Sequence, residues 1–105
     1  MPVSIEVNGN TMTARLSGEL DHHHTQQLRE EIDRSVQKEH PSRLILNFAG
    51  VEFMDSSGIG LVLGRYRLMQ EREGSLVLCA MPPHIRRVMR VAGIANLEIE
   101  EESRV

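Results

Sequence analysis

The sequence predicts a small α/β domain: a single mixed β-sheet that opens with an N-terminal β-hairpin and carries about three helices. Three observations lead there. Residues 3–16 alternate apolar and polar with a period of two. Leu28, Ile32 and Val36 then recur every four residues. Further on, two short continuous apolar runs flank a second helical stretch, as expected for buried strands joined by a crossover helix.

In the hairpin, Val3, Ile5 and Val7 fall on one face and Met12, Ala14 and Leu16 repeat the pattern, with Asn8-Gly9-Asn10 between them as the turn. The first helix opens between Asp21 and Thr25 and ends before Pro41, with Glu30, Glu31, Asp33 and Arg34 on its polar sides. Residues 43–49 read as a central strand, and a loop from Gly50 to Asp55 leads into a second helix over residues 57–72, closed by Gly74. Residues 75–80 form another buried strand. Pro82-Pro83 starts a third helix that Gly93 stops, and residues 97–101 make a last edge strand before an acidic end containing Glu98 and Glu100 to Glu102. The order β-β-α-β-α-β-α-β calls for right-handed crossovers. No linker, repeat or low-complexity stretch divides the 105 residues, so one domain spans 1–105.

Composition narrows the function. With 12 basic and 15 acidic residues the net charge is −3, which argues against a nucleic-acid binder, and the aromatic side chains on which bases would stack are scarce. No apolar run is long enough to span a bilayer, and the N-terminus lacks the basic-then-apolar pattern of an export signal. A single cysteine, Cys79, excludes an internal disulfide and a cysteine-rich zinc site; in an apolar strand it reads as a small buried hydrophobe. A cytoplasmic domain without metal or cofactor is the expectation. His22-His23-His24 on a helix spread too widely to converge on one ion, so a structural or partner-contact role is expected of them. Arg86, Arg87 and Arg90 read as a solvated face of the third helix.

The informative segment is Phe53-Met54-Asp55-Ser56-Ser57-Gly58-Ile59-Gly60, a polar loop and helix start at the carboxyl edge of the sheet, where open α/β folds place their sites. A hydrolase elbow needs Gly-x-Ser-x-Gly, and around Ser56 the first glycine is replaced by Met54. A dinucleotide fingerprint fails too, because Gly58, Gly60 and Gly64 have the wrong spacing and no acidic residue ends the next strand. A serine at a helix N-terminus remains. The positive end of the helix tolerates a phosphate there, and Asp55 close by would make the modified surface strongly acidic. Plain capping by Ser56 or Ser57 is the competing reading.

On the second helix, Ile59, Val62, Leu63, Tyr66 and Met69 are expected on the core side. Gly60, Leu61, Gly64 and Leu68 line the opposite side, flanked by Arg65 and Arg67. Glycine costs about 1 kcal/mol relative to alanine within a helix, so two of them call for a reason. Either another backbone approaches closely, or they pack beneath a neighbouring loop.

Gly18-Glu19-Leu20-Asp21-His22-His23, together with the Asp-Ser-Ser-Gly segment and its continuation Leu63-Gly64-Arg65-Tyr66, resembles the domain family shared by sulfate transporters and anti-sigma factor antagonists (STAS). The similarity runs from about Val3 to Ile99, through Cys79-Ala80 and Val91-Ala92-Gly93-Ile94. It implies a STAS-like fold and an antagonist that binds an anti-sigma factor and releases the sporulation sigma factor held by it. The anti-sigma factor would also be a serine kinase that inactivates the antagonist, and a serine phosphatase would reverse this. The second serine of the motif is the implied phosphorylation site, Ser57, with Ser56 as the fallback. Partner contacts are expected at Asp21, His22, His23, Asp55, Ser56, Gly58, Gly60, Leu61, Gly64 and Arg65. No catalytic residue is implied. The chain departs from the family in having three histidines where relatives have two. It also stops at Val105, where the family continues with a further helix. An antagonist in a general stress-response system would use the same switch, and a small serine hydrolase using Ser56 or Ser57 is the alternative from another class.

Overall fold

The computed structural model describes residues 3–102. A five-stranded sheet in the order β1-β2-β3-β4-β5 is formed by β1 (Val3–Asn8), β2 (Thr11–Leu20), β3 (Arg43–Met54), β4 (Ser75–Cys79) and β5 (Glu100–Glu102). β1 and β2 pair antiparallel through the tight turn at Gly9-Asn10, and every later pair is parallel. The helices α1 (His22–Glu39), α2 (Ser56–Glu71) and α3 (Pro83–Val91) are the three crossovers. All three connections step the same way across the sheet, so right-handed crossing places the helices on one face.

That face holds the core. Met12, Ala14 and Leu16 of β2, Leu44, Leu46 and Phe48 of β3, and Leu76 and Leu78 of β4 meet Leu28, Ile32 and Val36 from α1, Leu61, Val62 and Met69 from α2, and Ile85 and Met89 from α3. The opposite face carries polar and charged side chains, including the ion pair of Glu6 with Arg15. Cys79 is buried there, and burial pushes its thiol pKa up, so it behaves as the small hydrophobe expected.

Several boundaries differ from the sequence reading. The stretch from Gly50 to Asp55, expected as a loop, is mostly strand. β3 continues to Met54 because β2 continues beside it as far as Leu20, with Leu20 opposite Met54. Between Arg15 and Leu20, β2 advances five residues while β3 advances seven, from Asn47 to Met54, so β3 carries two bulged residues. Gly18, with φ +81, takes the left-handed backbone conformation within this irregular stretch.

At the end of α2 the left-handed residue is Glu73 (φ 58), not Gly74. Gly74 is needed for close approach instead: a Cβ there would lie 2.8 Å from the Ser42 carbonyl oxygen. The acidic end is also more structured than its composition suggested. After a 3-10 turn at Ile94–Asn96, β5 spans Glu100–Glu102 instead of 97–101. Arg43 pairs with Glu100 (3.0 Å) and Glu102 (2.6 Å), and Arg86, expected as part of a solvated face, pairs with Glu101. These bridges hold a strand that has little apolar surface of its own.

Candidate functional site

The register Leu20 opposite Met54 sets the geometry of the site. Each strand is followed by an aspartate and then a helix, so Asp21 and Asp55 come to the same sheet edge and α1 and α2 begin side by side. Asp21 accepts the His24 backbone N–H at 2.9 Å, and Asp55 accepts that of Ser57 at 2.8 Å. Both aspartates are therefore N-caps. Neither Ser56 nor Ser57 caps the helix, which removes the competing capping role. The Ser57 hydroxyl has no hydrogen-bond partner among the described residues.

Between the two helix starts lies a groove of about 260 Å³. His22, Thr25, Gln26 and Arg29 of α1 line one side, and Ser57, Gly60 and Leu61 of α2 line the other. Each set is a single helical stripe, spaced i, i+3, i+4 and, on α1, i+7. The groove therefore unites His22, Ser57, Gly60 and Leu61 from the expected contacts. Thr25, Gln26 and Arg29 were not anticipated. Their spacing from His22 was visible in the sequence, but nothing in it showed that this stripe would face α2.

The expected outer strip of α2 needs correction. Leu61 and Arg65 are buried, 4% and 5% exposed, and the buried stripe is Gly58, Leu61, Val62, Arg65 and Met69. Ile59, Leu63 and Tyr66, expected in the core, are only partly buried at its rim. The helix is rotated because it packs against α1 as well as the sheet. Asp33 of α1 supplies a partner for Arg65, with Nε and Oδ1 2.9 Å apart in an ion-pair contact that lacks hydrogen-bond alignment. Arg65 Nη1 is buried with no partner among the described residues. Burial raises the Asp33 pKa and lowers that of Arg65, with their mutual attraction opposing both shifts. Arg65 is thus part of the helix–helix interface and not an exposed contact.

The glycines divide into two kinds. Gly58 is buried, and a Cβ there would fall 2.1 Å from Met54 Cγ, so its small size serves internal packing. Gly60 and Gly64 have open space where a Cβ would project. No neighbouring loop covers them among the described residues. His23 is exposed and contacts the His24 ring edge-on, with centroids 5.4 Å apart, while Ser56 is exposed outside the groove.

His24 Nδ1 also lies 2.8 Å from Asp21 Oδ1, and ligand atoms of Glu19, Asp21 and His24 come within 4.8 Å of one another. Asp21 is already engaged as a cap, and the bond from the His24 amide chiefly lowers its pKa. Among the described residues, no helix is long and apolar enough to cross a membrane.

The chain is thus a one-sided α/β layer with a serine at a helix start beside an open groove. The chain belongs to the STAS domain family, whose model matches residues 2–103. It is 33% identical over 97 residues to the anti-sigma F factor antagonist of Paenibacillus polymyxa, covering 92% of this chain and 83% of that protein. Two solved structures share the architecture. One is the anti-sigma factor antagonist SpoIIAA in its unphosphorylated form (34% identity, TM-score 0.77, 98% of this chain and 89% of that one). The other is the Bacillus cell fate determinant SpoIIAA in the phosphorylated form (35%, 0.74, 96% and 91%).

Proposed function

We propose that this protein is a cytoplasmic anti-sigma factor antagonist formed by a single STAS unit. In the unphosphorylated form it binds an anti-sigma factor that is also a serine kinase, so that the sporulation sigma factor held by that protein is released. Transfer of the ATP γ-phosphoryl group to Ser57 Oγ ends the contact, and a serine phosphatase restores it. The protein is the kinase's substrate and supplies no catalytic group of its own. Among the described residues, no hydrogen bond joins either serine hydroxyl to a histidine.

The placement of Ser57 carries this reading. It is the second residue of α2, its hydroxyl is uncommitted, and it lies in the groove that Gly60 leaves bare. A partner backbone can approach that surface closely, and a dianion there would repel it. The anti-sigma F antagonist relative and the two SpoIIAA structures, one of them phosphorylated, support an antagonist that exists in phosphorylated and unphosphorylated forms. Partner contact is proposed at His22, Gly60 and Gly64, with the buried Leu61 forming the floor of the groove and Asp21, His23, Asp55 and Ser56 at the margins.

The test is incubation with the cognate anti-sigma kinase and ATP, followed by mass mapping. Phosphate on Ser57 is the expected result; phosphate on Ser56 alone, or on neither serine, would falsify the assignment. Affinity capture should recover a sporulation anti-sigma factor, and recovery of a stress-response one would reassign the system. Turnover of acyl or phosphoryl esters would instead make the protein an enzyme.

A further inference from the structure

Arg29 faces the groove from α1, is exposed, and makes no hydrogen bond or ion pair among the described residues. Asp33, one turn further along the same helix, is already paired with Arg65. The groove therefore presents, across from Ser57, a guanidinium that has no hydrogen bond or ion pair among the described residues, although its charge also acts on Asp33 and Arg65. The amides nearest that serine offer little in competition. The Ser57 N–H is held by the Asp55 carboxylate, and the Gly58 N–H by the Asp55 carbonyl at 3.0 Å. The Asp55 charge also repels an anion from the α2 side.

We propose that the groove is an intramolecular receptor for a phosphate monoester, in which Arg29 holds the phosphate carried by Ser57. This rests on the reading of Ser57 as the phosphorylated residue. The planar fork of a guanidinium matches two phosphate oxygens, and its charge opposes that of the dianion. His22, Thr25 and Gln26 line the same wall and add polar partners. On the opposite side Gly60 has no side chain to obstruct the bridge. Once formed, the bridge ties α1 to α2 and fills the space above Leu61. Phosphorylation then closes the docking groove as well as charging it.

The test uses phosphoserine installed at position 57 during translation, in wild type, Arg29→Gln and Arg29→Lys proteins, with unphosphorylated counterparts. No kinase is involved, so failure of the kinase to modify Ser57 would leave this result intact, and the reverse also holds. Phosphorus NMR titration should give a phosphate pKa lower in wild type than in Arg29→Gln by about 0.5 or more. The charged groups around the phosphate are Arg29 and His22 from α1 and the α2 N-cap Asp55, with Asp33 and Arg65 next to Arg29; only Arg29 differs between these two proteins. Phosphorylation should raise the melting temperature of wild type by roughly 3 °C relative to its effect on Arg29→Gln, with Arg29→Lys between them. Matching phosphate titrations and matching melting shifts in wild type and Arg29→Gln would place the phosphate in solvent and overturn the proposal.

Discussion

Asp55 Oδ1 lies 2.8 Å from the Ser57 backbone nitrogen and accepts its hydrogen bond. The residue that caps α2 is thus distinct from the residue proposed to carry the phosphate. Stability and switching are assigned to different side chains, and substitution can separate them.

Asp55→Ala should destabilise the fold by about 1 kcal/mol through loss of the cap. Ser57→Ala should cost less than that, because its hydroxyl has no hydrogen-bond partner among the described residues. In calorimetric titrations with the anti-sigma factor, Ser57→Ala should bind like wild type and resist inactivation by the kinase. Ser57→Asp should bind more weakly. It has about half the charge of a phosphate, so partial loss is expected. Equal affinities for wild type, Ser57→Asp and the phosphorylated protein would remove Ser57 from the interface.

The two kinds of glycine give opposite signs. Gly58→Ala drives a methyl group into Met54 and should cost about 1–3 kcal/mol in urea unfolding. Gly60→Ala points into open space and should be neutral or stabilise by up to about 1 kcal/mol. A neutral Gly58→Ala would mean that Met54 can move aside freely.

Gly64→Asp adds a side chain and a charge where nothing among the described residues is close. Partner affinity should fall at least tenfold, the equivalent of about 1.4 kcal/mol, while the unfolding midpoint changes little. Unchanged affinity of the folded variant would move the interface off this strip.

Arg65→Met should destabilise by about 1–2 kcal/mol, because the partly buried Asp33 would lose its ion-pair contact and keep only the attraction of Arg29. Combining it with Asp33→Leu should recover most of that loss, since two apolar side chains can fill the seam between α1 and α2. Additive losses in a double-mutant cycle would show that the pair is not coupled.

Asp21 gives the pH dependence. The His24 amide bond holds its carboxyl below the usual aspartate range. Its pKa is thus lower folded than unfolded, so its stabilisation is present above the unfolded value and is lost as pH falls through the folded one. Asp21→Asn retains a cap without the charge. The stability difference between wild type and Asp21→Asn should shrink on acidification below pH 4 or so. A difference independent of pH would detach the carboxylate charge from α1.

Much was legible in the sequence because local chemistry decides it. Alternation and the turn glycine specify the hairpin; the four-residue recurrence of Leu28, Ile32 and Val36 specifies α1; and Asp-Ser-Ser-Gly before an apolar helix specifies the start of α2. The choice of Ser57 over Ser56 came from the family resemblance and not from local chemistry, which left plain capping open. Other features depend on residues far apart in the chain. β3 runs on to Met54 because β2 lies beside it, and Gly74 is small because the Ser42 carbonyl is close. Arg65 was read as exposed because an isolated arginine belongs in water, and burying its charge is costly without an acid to oppose it. Asp33, 32 positions earlier, supplies that acid only once α1 and α2 are packed. The facing of Arg29 and Ser57 has the same origin. Each lies on a stripe visible in its own helix, but which stripes oppose one another depends on helix rotation, and that is set by packing against the sheet.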